Sequence, residues 1–296
     1  MSATDAATQA PPAPTRRRAA SVIWRKLFGR RVVLVGALML AIVAVAALFA
    51  PWLTPYDPTA LRILDRLQSP RGAHWFGTDE LGRDVFSRVI FGARYSLMIG
   101  ALVVAISVTC GALLGLAAGY FRKLDGPIMR VVDALMSFPD ILLAIALVAV
   151  LGASMTNVII ALSIVYTPRV ARVVRASTLV VRELLFIEAA QALGVSTWRI
   201  LLLHILPNIA SPILVQATFI FAYAVLAEAG LSFLGVGVPP ALPTWGTMIA
   251  SGQQFAHQAI WLVVFPGFAI ILSALSLQMV GDGLRDLLDP KLRKTL

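Results

Sequence analysis

Long apolar runs recur throughout this chain, and they constrain its fold more than any other feature of the sequence. A helix needs about 20 residues to cross the hydrocarbon core of a bilayer, which is about 30 Å thick. Hydrophobic residues make up 59% of the 296 positions and charged residues only 14%, a composition that excludes an ordinary soluble globular protein. The sequence predicts an all-α polytopic membrane protein with six transmembrane helices, at residues 32–51, 95–119, 129–151, 155–175, 208–230 and 259–280.

The 25 lysines and arginines lie mostly in the segments between these runs, and they are unevenly divided between the two sides of the predicted bundle. Nineteen fall on the side that holds both termini and the loop 176–207, and six fall on the other side. Positive residues accumulate on the cytoplasmic side of membrane proteins. We therefore expect a multi-pass protein of the bacterial cytoplasmic (inner) membrane with both termini in the cytoplasm. The net charge of +10 is then an orientation signal, and no nucleic-acid partner is expected.

The N-terminal segment has two possible interpretations. Three arginines at 16–18 precede an apolar run, as in a secretory signal peptide. The run is too long for a signal peptide, however, and Pro51 directly after Ala50 would block cleavage there. We interpret it as a retained membrane helix. The expected organisation is a cytoplasmic tail over 1–31, the first helix and an outer segment over 32–94, a core of five helices over 95–290, and a cytoplasmic C-terminus over 291–296.

The segment 182–208 carries charges between two apolar runs and reads as two short helices around a glycine. The first helix, predicted over 183–193, ends at Gly194, which can adopt the left-handed conformation that closes a helix. Ser196 can cap the second helix, which is expected to stop before Pro207. In a chain of membrane helices, such a hairpin could simply be a solvated connection.

This hairpin resembles the EAA loop of ABC-importer permeases, with one mild departure at His204, where the family usually has isoleucine. In that family the loop is a coupling helix that seats in a groove of a cytoplasmic ATPase. The small alanines let a partner surface approach, the glutamate offers a charge and the glycine forms the elbow. The residues that carry the resemblance, and that it assigns to ATPase coupling, are Glu188, Ala189, Ala190, Gly194, Leu206 and Pro207.

Three further stretches, 70–97, 226–255 and 281–291, resemble the permeases of the dipeptide, oligopeptide and nickel importer family. The resemblance implies a type I ABC-importer permease fold and half of a translocation pathway. It implies a second, homologous permease as a heterodimer partner, two cytoplasmic ABC ATPases and an extracytoplasmic solute-binding protein. The implied substrates are di- or oligopeptides, or alternatively nickel chelates, glutathione or opines.

Neither a nucleotide site nor a metal site is evident in the sequence. No G-x-x-x-x-G-K-[ST] loop is present to hold phosphates, so ATP and Mg²⁺ are expected on the partner ATPases. This chain is expected to hold no cofactor and to catalyse no covalent reaction. The three histidines are scattered, and Cys110, the single cysteine, lies in an apolar run, so no metal ligand set and no intrachain disulfide are expected.

Two predictions concern helix packing near the second apolar run. Gly77-Thr78-Asp79 is expected to form a turn and a helix cap, followed by a helix at the membrane interface whose apolar stripe lies at 86–91 and that either packs on the bundle or contacts a binding protein. Within the run, Gly111, Gly115 and Gly119 recur every four residues. This face of small residues predicts that another helix packs closely against it, and Gly100 and Ser107 roughly extend the same face.

Polar residues inside the apolar runs are candidates for the translocation path. Asp133 could pair with Arg130, and a kink is expected at Pro139. Asp140 could pair with Arg169 or Arg172, or it could instead lie on the translocation path. Glu228 could receive an amine or a cation, or could cap backbone amides of the following Gly/Pro-rich loop. The amides in the runs could form interhelical hydrogen bonds or contact the substrate. The candidates for the path are Asp140, Asn157, Gln216, Glu228 and Gln278.

Two other classes of protein compete with an ATP-driven permease. An ion-coupled secondary transporter usually shows paired ionisable groups near the midplane and related halves. Here only Asp140 is such a candidate, and no internal repeat is clear. A non-transporting scaffold would not require kinked helices, an outer Gly/Pro loop and a charged hairpin together.

Overall fold

The computed structural model describes residues 31–288, except for the side chains of Leu287 and Leu288. The two predicted tails, apart from Arg31, lie outside this range. Within it the chain is helical, and no strand forms beyond two isolated bridges in the segment 71–84. The helices are α1 (Arg31–Leu48), α2 (Ala50–Leu53), α3 (Val85–Tyr120), α4 (Arg122–Met136), α5 (Asp140–Leu151), α6 (Met155–Arg182), α7 (Leu185–Ala192), α8 (Thr197–Arg199), α9 (Leu206–Asn208), α10 (Ala210–Phe233), α11 (Trp245–Gln253) and α12 (Trp261–Leu288).

Five of these helices, α1, α3, α6, α10 and α12, are long and apolar enough to span a membrane. The predicted third span is not one helix, because α4 and α5 meet at 93° across a short break. Pro139 causes the break: it has no N–H to donate and disfavours helical geometry at Phe138. If the bent pair is one span, the bundle has the six spans that were predicted.

The second span begins ten residues earlier than predicted, since α3 runs unbroken from Val85 to Tyr120. At 1.5 Å per residue its 36 residues extend about 54 Å, well beyond a hydrocarbon core. The prediction of a separate interfacial helix was therefore wrong, and its apolar stripe over 86–91 lies in the first turns of α3. Val85 and Arg88 are buried there, which matches the packing alternative.

The glycine face of α3 was predicted correctly, and it packs against α6. A Cβ atom at Gly111, Gly115 or Gly119 would lie 2.5–2.6 Å from the Cβ of Val170, Val174 or Thr178, respectively. Ser107 extends the face, because its hydroxyl donates to the carbonyl of Ser163 at 3.2 Å. Gly100 does not, since it faces Phe221 on α10.

The segment between α2 and α3 folds into a compact cap on one end of the bundle. Gly77 has φ +76°, as the predicted turn requires, but the residue that caps α3 is Asp84 rather than Thr78 or Asp79. Asp84 accepts a hydrogen bond from the Ser87 N–H at 2.8 Å, and its other oxygen lies 2.8 Å from Nδ1 of the buried His74.

The Gly/Pro-rich loop after α10 lies at the same end, and it is followed by a short helix, α11, that the sequence reasoning did not predict. Thr244 and Thr247 form a reciprocal capping box at its start. Trp245 is buried, and its indole N–H donates to the carbonyl of Val89 at 2.9 Å. This bond ties α11 to the first turns of α3.

Candidate functional site: the 183–208 hairpin and the polar residues of the bundle

The hairpin has the predicted elbow. Helix α7 covers Leu185–Ala192, slightly shorter than predicted, and Gly194 has φ +75°. The Val195 N–H bonds to the carbonyl of Ala190 and the Gly194 N–H to that of Gln191, both at 3.0 Å. These two bonds form a Schellman motif, whose left-handed residue is most often glycine.

The second arm of the hairpin differs from the prediction in two ways. Ser196 occupies the N-cap position of α8, but its side chain makes no capping hydrogen bond. The helix also continues past Pro207, through a π-helical segment over Ile200–Ile205 into α9. Because α-helical geometry restarts at Leu206, Pro207 lies in a first turn, where its missing N–H is tolerated.

One face of the hairpin is buried against the bundle and the other is exposed. Ile187, Ile200 and Ile205 belong to the main hydrophobic core, and Ala190 packs against it. Glu188, Ala189 and Pro207 are exposed, and Leu206 is half-buried. The structure therefore separates the two alanines of the motif: Ala189 is presented to the surroundings and Ala190 to the bundle.

The exposed face carries large apolar residues that the sequence reasoning did not single out. Leu193 and Trp198, on either side of the elbow, are 83% and 70% exposed, and Leu185 is 82% exposed. Exposed apolar patches of this kind mark sites of macromolecular contact. A helical period would not have found them, since Leu193 and Trp198 lie on opposite sides of the turn at Gly194.

The hairpin is joined to α3 by polar contacts. The Arg182 guanidinium donates to the carbonyls of Gly119 and Tyr120, at 2.9 and 3.1 Å. Gln191 donates to the Tyr120 hydroxyl at 3.3 Å. An open cleft of about 500 Å³ lies between these elements, and Glu188 is one of its lining residues, together with Arg122 and Glu183.

Three ion pairs join α6 to the bent pair α4–α5. Arg169 pairs with Asp140, one of the two partners predicted for that carboxylate. Arg172 pairs with Asp133 at 2.7 Å, so the predicted pairing of Asp133 with Arg130 was wrong. Arg175 pairs with Asp125 through two hydrogen bonds, of which the Nη2–Oδ2 bond is 2.6 Å long. The spacing of three along α6 places all three arginines on the side that faces α4 and α5.

Glu228 is fully buried within the chain, at 1% exposure. Its Oε1 accepts hydrogen bonds from the hydroxyls of Ser232 and Thr244, at 2.9 and 2.8 Å. It does not cap backbone amides itself, as one alternative proposed. Instead it orients two hydroxyls that do so, because Ser232 Oγ accepts from the Val238 N–H and Thr244 Oγ1 from the Thr247 N–H.

Of the three amide candidates, only Asn157 forms an interhelical hydrogen bond in the part of the chain that the structure describes, to the last residue of α5. Asn157 lies in the first turn of α6, and its side chain closes the turn from α5 by donating to the carbonyls of Leu151 and Gly152, at 2.7 and 2.9 Å. Gln216 is half-buried and Gln278 exposed, and within residues 31–288 the side chain of neither has a hydrogen-bond partner. No hydrogen bond or ion pair within that range joins any two of the five path candidates.

Comparisons with known proteins agree with this arrangement. A family model described as "binding-protein-dependent transport system inner membrane component" matches residues 107–294. A second, described as "N-terminal TM domain of oligopeptide transport permease C", matches residues 20–70.

Individual relatives match over nearly their whole length. A protein of Brucella suis, provisionally named a peptide transport system permease, is 50% identical over 91% of both chains. The dipeptide transport system permease protein DppC of Alkalihalophilus pseudofirmus is 44% identical over 95% of this chain and 94% of its own. A glutathione transport system permease protein of Escherichia coli is 45% identical over 91% and 90%.

A solved structure of the MetNI methionine ABC transporter, in an inward-facing conformation, superposes with a TM-score of 0.55. It covers 69% of this chain and 98% of the matched chain at 20% identity, which supports the fold alone. Together with the helical bundle and its hairpin, these matches show that the chain belongs to the family of inner-membrane components of binding-protein-dependent transport systems and has the type I ABC-importer permease fold.

Proposed function

We propose that this chain forms half of the translocation pathway of an ATP-driven importer of di- or oligopeptides. A second, homologous permease would supply the other half, two cytoplasmic ATPases would bind ATP and Mg²⁺, and an extracytoplasmic protein would deliver the substrate. The chain would lie in a bacterial cytoplasmic membrane with both termini in the cytoplasm. The excess of positive charge on the hairpin's side of the bundle supports this orientation.

The observation that carries the proposal is the exposed apolar surface of a hairpin that is otherwise fixed to the bundle. Leu185, Leu193 and Trp198 have no packing partner that covers them within residues 31–288. The inner face meanwhile contributes to the main core, and Arg182 ties its base to α3. A partner that binds the exposed face can therefore displace α3 and α6, rather than only bend a loose loop.

In the proposed mechanism, closure of the ATPases pushes the hairpin through the exposed side of Glu188 and Ala189. The close contact along Gly111, Gly115 and Gly119 makes α3 and α6 move together. The bent pair α4–α5 follows, because both of its helices pack along α6 and Arg175 on α6 binds Asp125 on α4 through two hydrogen bonds. The cavity between the two permeases would then change its open side.

The coupling role is tested by Ala189→Trp, which places a bulky ring on the exposed face without entering the core. We expect that the ATPases no longer co-purify with the variant permease and that ATP-driven uptake is lost, while the amount of permease in the membrane stays normal. The matched control is Ala134→Trp, which alters an exposed alanine on α4, outside the hairpin. If Ala189→Trp retains both ATPase binding and uptake, the coupling assignment is wrong.

The peptide assignment rests on the relatives, which include both dipeptide and glutathione permeases at nearly equal identity. Nickel chelates and opines remain alternative cargoes from the family resemblance. Uptake of a labelled dipeptide into vesicles that contain the whole importer, with unlabelled glutathione as competitor, would decide among them. Uptake by the purified chain alone on an ion gradient would instead identify a secondary transporter.

A further inference from the structure

Arg169 lies at the centre of a cluster of charged and aromatic side chains from three helices. Its guanidinium pairs with Asp140, at the start of α5. The guanidinium carbon lies 5.7 Å from the ring centroid of Tyr166 on α6 and 5.5 Å from that of Tyr223 on α10. Tyr166 is buried, and its hydroxyl donates to the carbonyl of Tyr223 at 3.4 Å, which holds the two aromatic residues together.

The cluster lies deep in the bundle. Arg169 is near the middle of α6, and Tyr223 near the middle of α10, each about 20 Å along the helix axis from the helix end on the hairpin side. Arg175, by contrast, is only two turns from the end of α6 and belongs to the region where charges reach water readily.

Although the cluster lies deep in the bundle, most of its side chains are partly exposed on the surface of this chain. The side chains of Arg169 and Asp140 are 33% and 39% exposed, and Tyr223 is 48% exposed. A charged pair open to hydrocarbon is costly, so such groups face water-filled cavities or protein. The open side of this cluster therefore faces the interior of the importer rather than lipid.

The ion pair also leaves hydrogen-bonding capacity unused. Arg169 engages Asp140 through Nη2, and Asp140 accepts through Oδ2. Within residues 31–288 no other group bonds to Nε or Nη1 of the guanidinium or to Oδ1 of the carboxylate. A guanidinium has five donors and a carboxylate two acceptor oxygens, so the pair presents free donors beside a free acceptor.

This combination fits a ligand that carries both charges. The free donors of Arg169 suit a carboxylate, Asp140 Oδ1 suits an ammonium group, and the ring of Tyr223 offers an apolar face that also attracts cations. We propose that Asp140, Arg169 and Tyr223 form a binding site for the ammonium and carboxylate groups of a zwitterionic peptide inside the membrane. The inference rests on the proposed function as a peptide importer.

The second ion pair along α6, between Arg172 and Asp133, provides a matched control. It joins the same helix to the same bent pair and is more exposed, at 50% and 61%. It has no tyrosine contact within residues 31–288. A purely structural role predicts the same response from both pairs, whereas a ligand site predicts a response from the Arg169–Asp140 pair alone.

The experiment uses the complete importer, with its partner permease, ATPases and binding protein, in vesicles supplied with a labelled dipeptide. Asp140→Asn and Arg169→Gln are expected to lower uptake at least tenfold, while assembly and ATP hydrolysis stay within twofold of the wild type. Asp133→Asn and Arg172→Gln are expected to change uptake less than twofold. An equal response of all four variants, or undiminished uptake by the first two, would overturn the site.

Tyr223→Ala and Tyr223→Phe keep the test decisive if a charge-neutralising variant fails to assemble, since Tyr223 is half exposed and can be truncated without opening the core. Loss of uptake by Tyr223→Ala in an assembled importer, with recovery in Tyr223→Phe, supports the site; full uptake by Tyr223→Ala contradicts it. If the wild-type importer takes up no dipeptide, the proposed function fails instead, so the two failures are distinguishable.

Discussion

Arg182 donates hydrogen bonds to the carbonyls of Gly119 and Tyr120, so the last residue of α6 holds the end of α3. These carbonyls belong to the last turn of α3, where no later helical N–H is available to them. The base of the hairpin is thereby attached to both helices that share the glycine face. Force applied to the hairpin has a direct connection to the pair of helices with the closest packing in the bundle.

Replacing Arg182 with glutamine should weaken this connection without unfolding the bundle. We expect a stability loss of about 1 kcal/mol, because the charged donor is only partly buried, and a several-fold drop in uptake per ATP hydrolysed. The ratio of uptake to hydrolysis in vesicles measures the effect. Arg130→Gln is the control, since Arg130 lies outside the hairpin, is exposed and has no side-chain partner within residues 31–288. An unchanged ratio in Arg182→Gln would exclude the connection.

A side chain on the glycine face should separate α3 from α6. Gly115→Val places its Cβ 2.6 Å from Val174 Cβ, and neither helix can move away without losing its other contacts. Overpacking of this kind costs about 1–3 kcal/mol, or more where backbone is involved. Thermal unfolding in detergent should show a lowered midpoint.

Gly126→Ala is the counterpart to Gly115→Val, because a Cβ at Gly126 meets nothing within 4 Å beyond its neighbours in the chain and the residue lies inside α4. It should leave the midpoint close to that of the wild type, because the higher helix propensity of alanine is offset by the clash between its Cβ and the ring of Pro127. A lowered midpoint for Gly126→Ala, or an unchanged one for Gly115→Val, would contradict the packing described above.

Truncating the apolar patch of the hairpin should weaken association with the ATPases and leave the permease intact. Leu193→Ser removes an 83% exposed side chain, so the folded state loses almost no packing. We expect at least a tenfold weaker ATPase association in a pull-down titration with an unchanged melting midpoint. Leu113→Ser, which alters a 61% exposed residue of α3 outside the hairpin, should bind the ATPases normally. Normal binding by Leu193→Ser would remove the patch from the interface.

Asp84 should be important for the folded segment before α3, because one carboxylate caps the helix and contacts buried His74. Asp84→Ala leaves the Ser87 N–H and the imidazole without these partners, at a cost of about 1–3 kcal/mol. Asp84→Asn keeps an acceptor for the cap and should cost less. Limited proteolysis between residues 54 and 84 would follow the loss, and equal resistance of Asp84→Ala and the wild type would contradict it.

Glu228 should behave as a structural residue. Glu228→Gln retains an oxygen for the hydroxyls of Ser232 and Thr244, so stability and uptake should stay close to those of the wild type. Glu228→Ala leaves those buried hydroxyls without their acceptor and should cost about 1–3 kcal/mol. Melting midpoints and dipeptide uptake would be measured side by side. If Glu228→Gln assembles with a normal midpoint and yet cannot transport, Glu228 belongs to the path after all.

The sequence by itself determined those features that depend on local composition or on a short repeat. Apolar run length located the spans, because about 20 helical residues are needed to cross hydrocarbon. The four-residue glycine spacing identified the packed face of α3, and Gly194 identified the elbow, because a left-handed residue favours glycine.

Only the tertiary structure decided which distant groups meet. Asp133 pairs with Arg172 rather than with Arg130 in its own helix, because the 93° break at Pro139 sets how α4 crosses α6. Glu228 is buried, because the Gly/Pro-rich loop folds back over it and brings Thr244 to its carboxylate. The cluster around Arg169 likewise joins residues from different helices. Their positions depend on crossing angles and turns that helical periodicity does not encode.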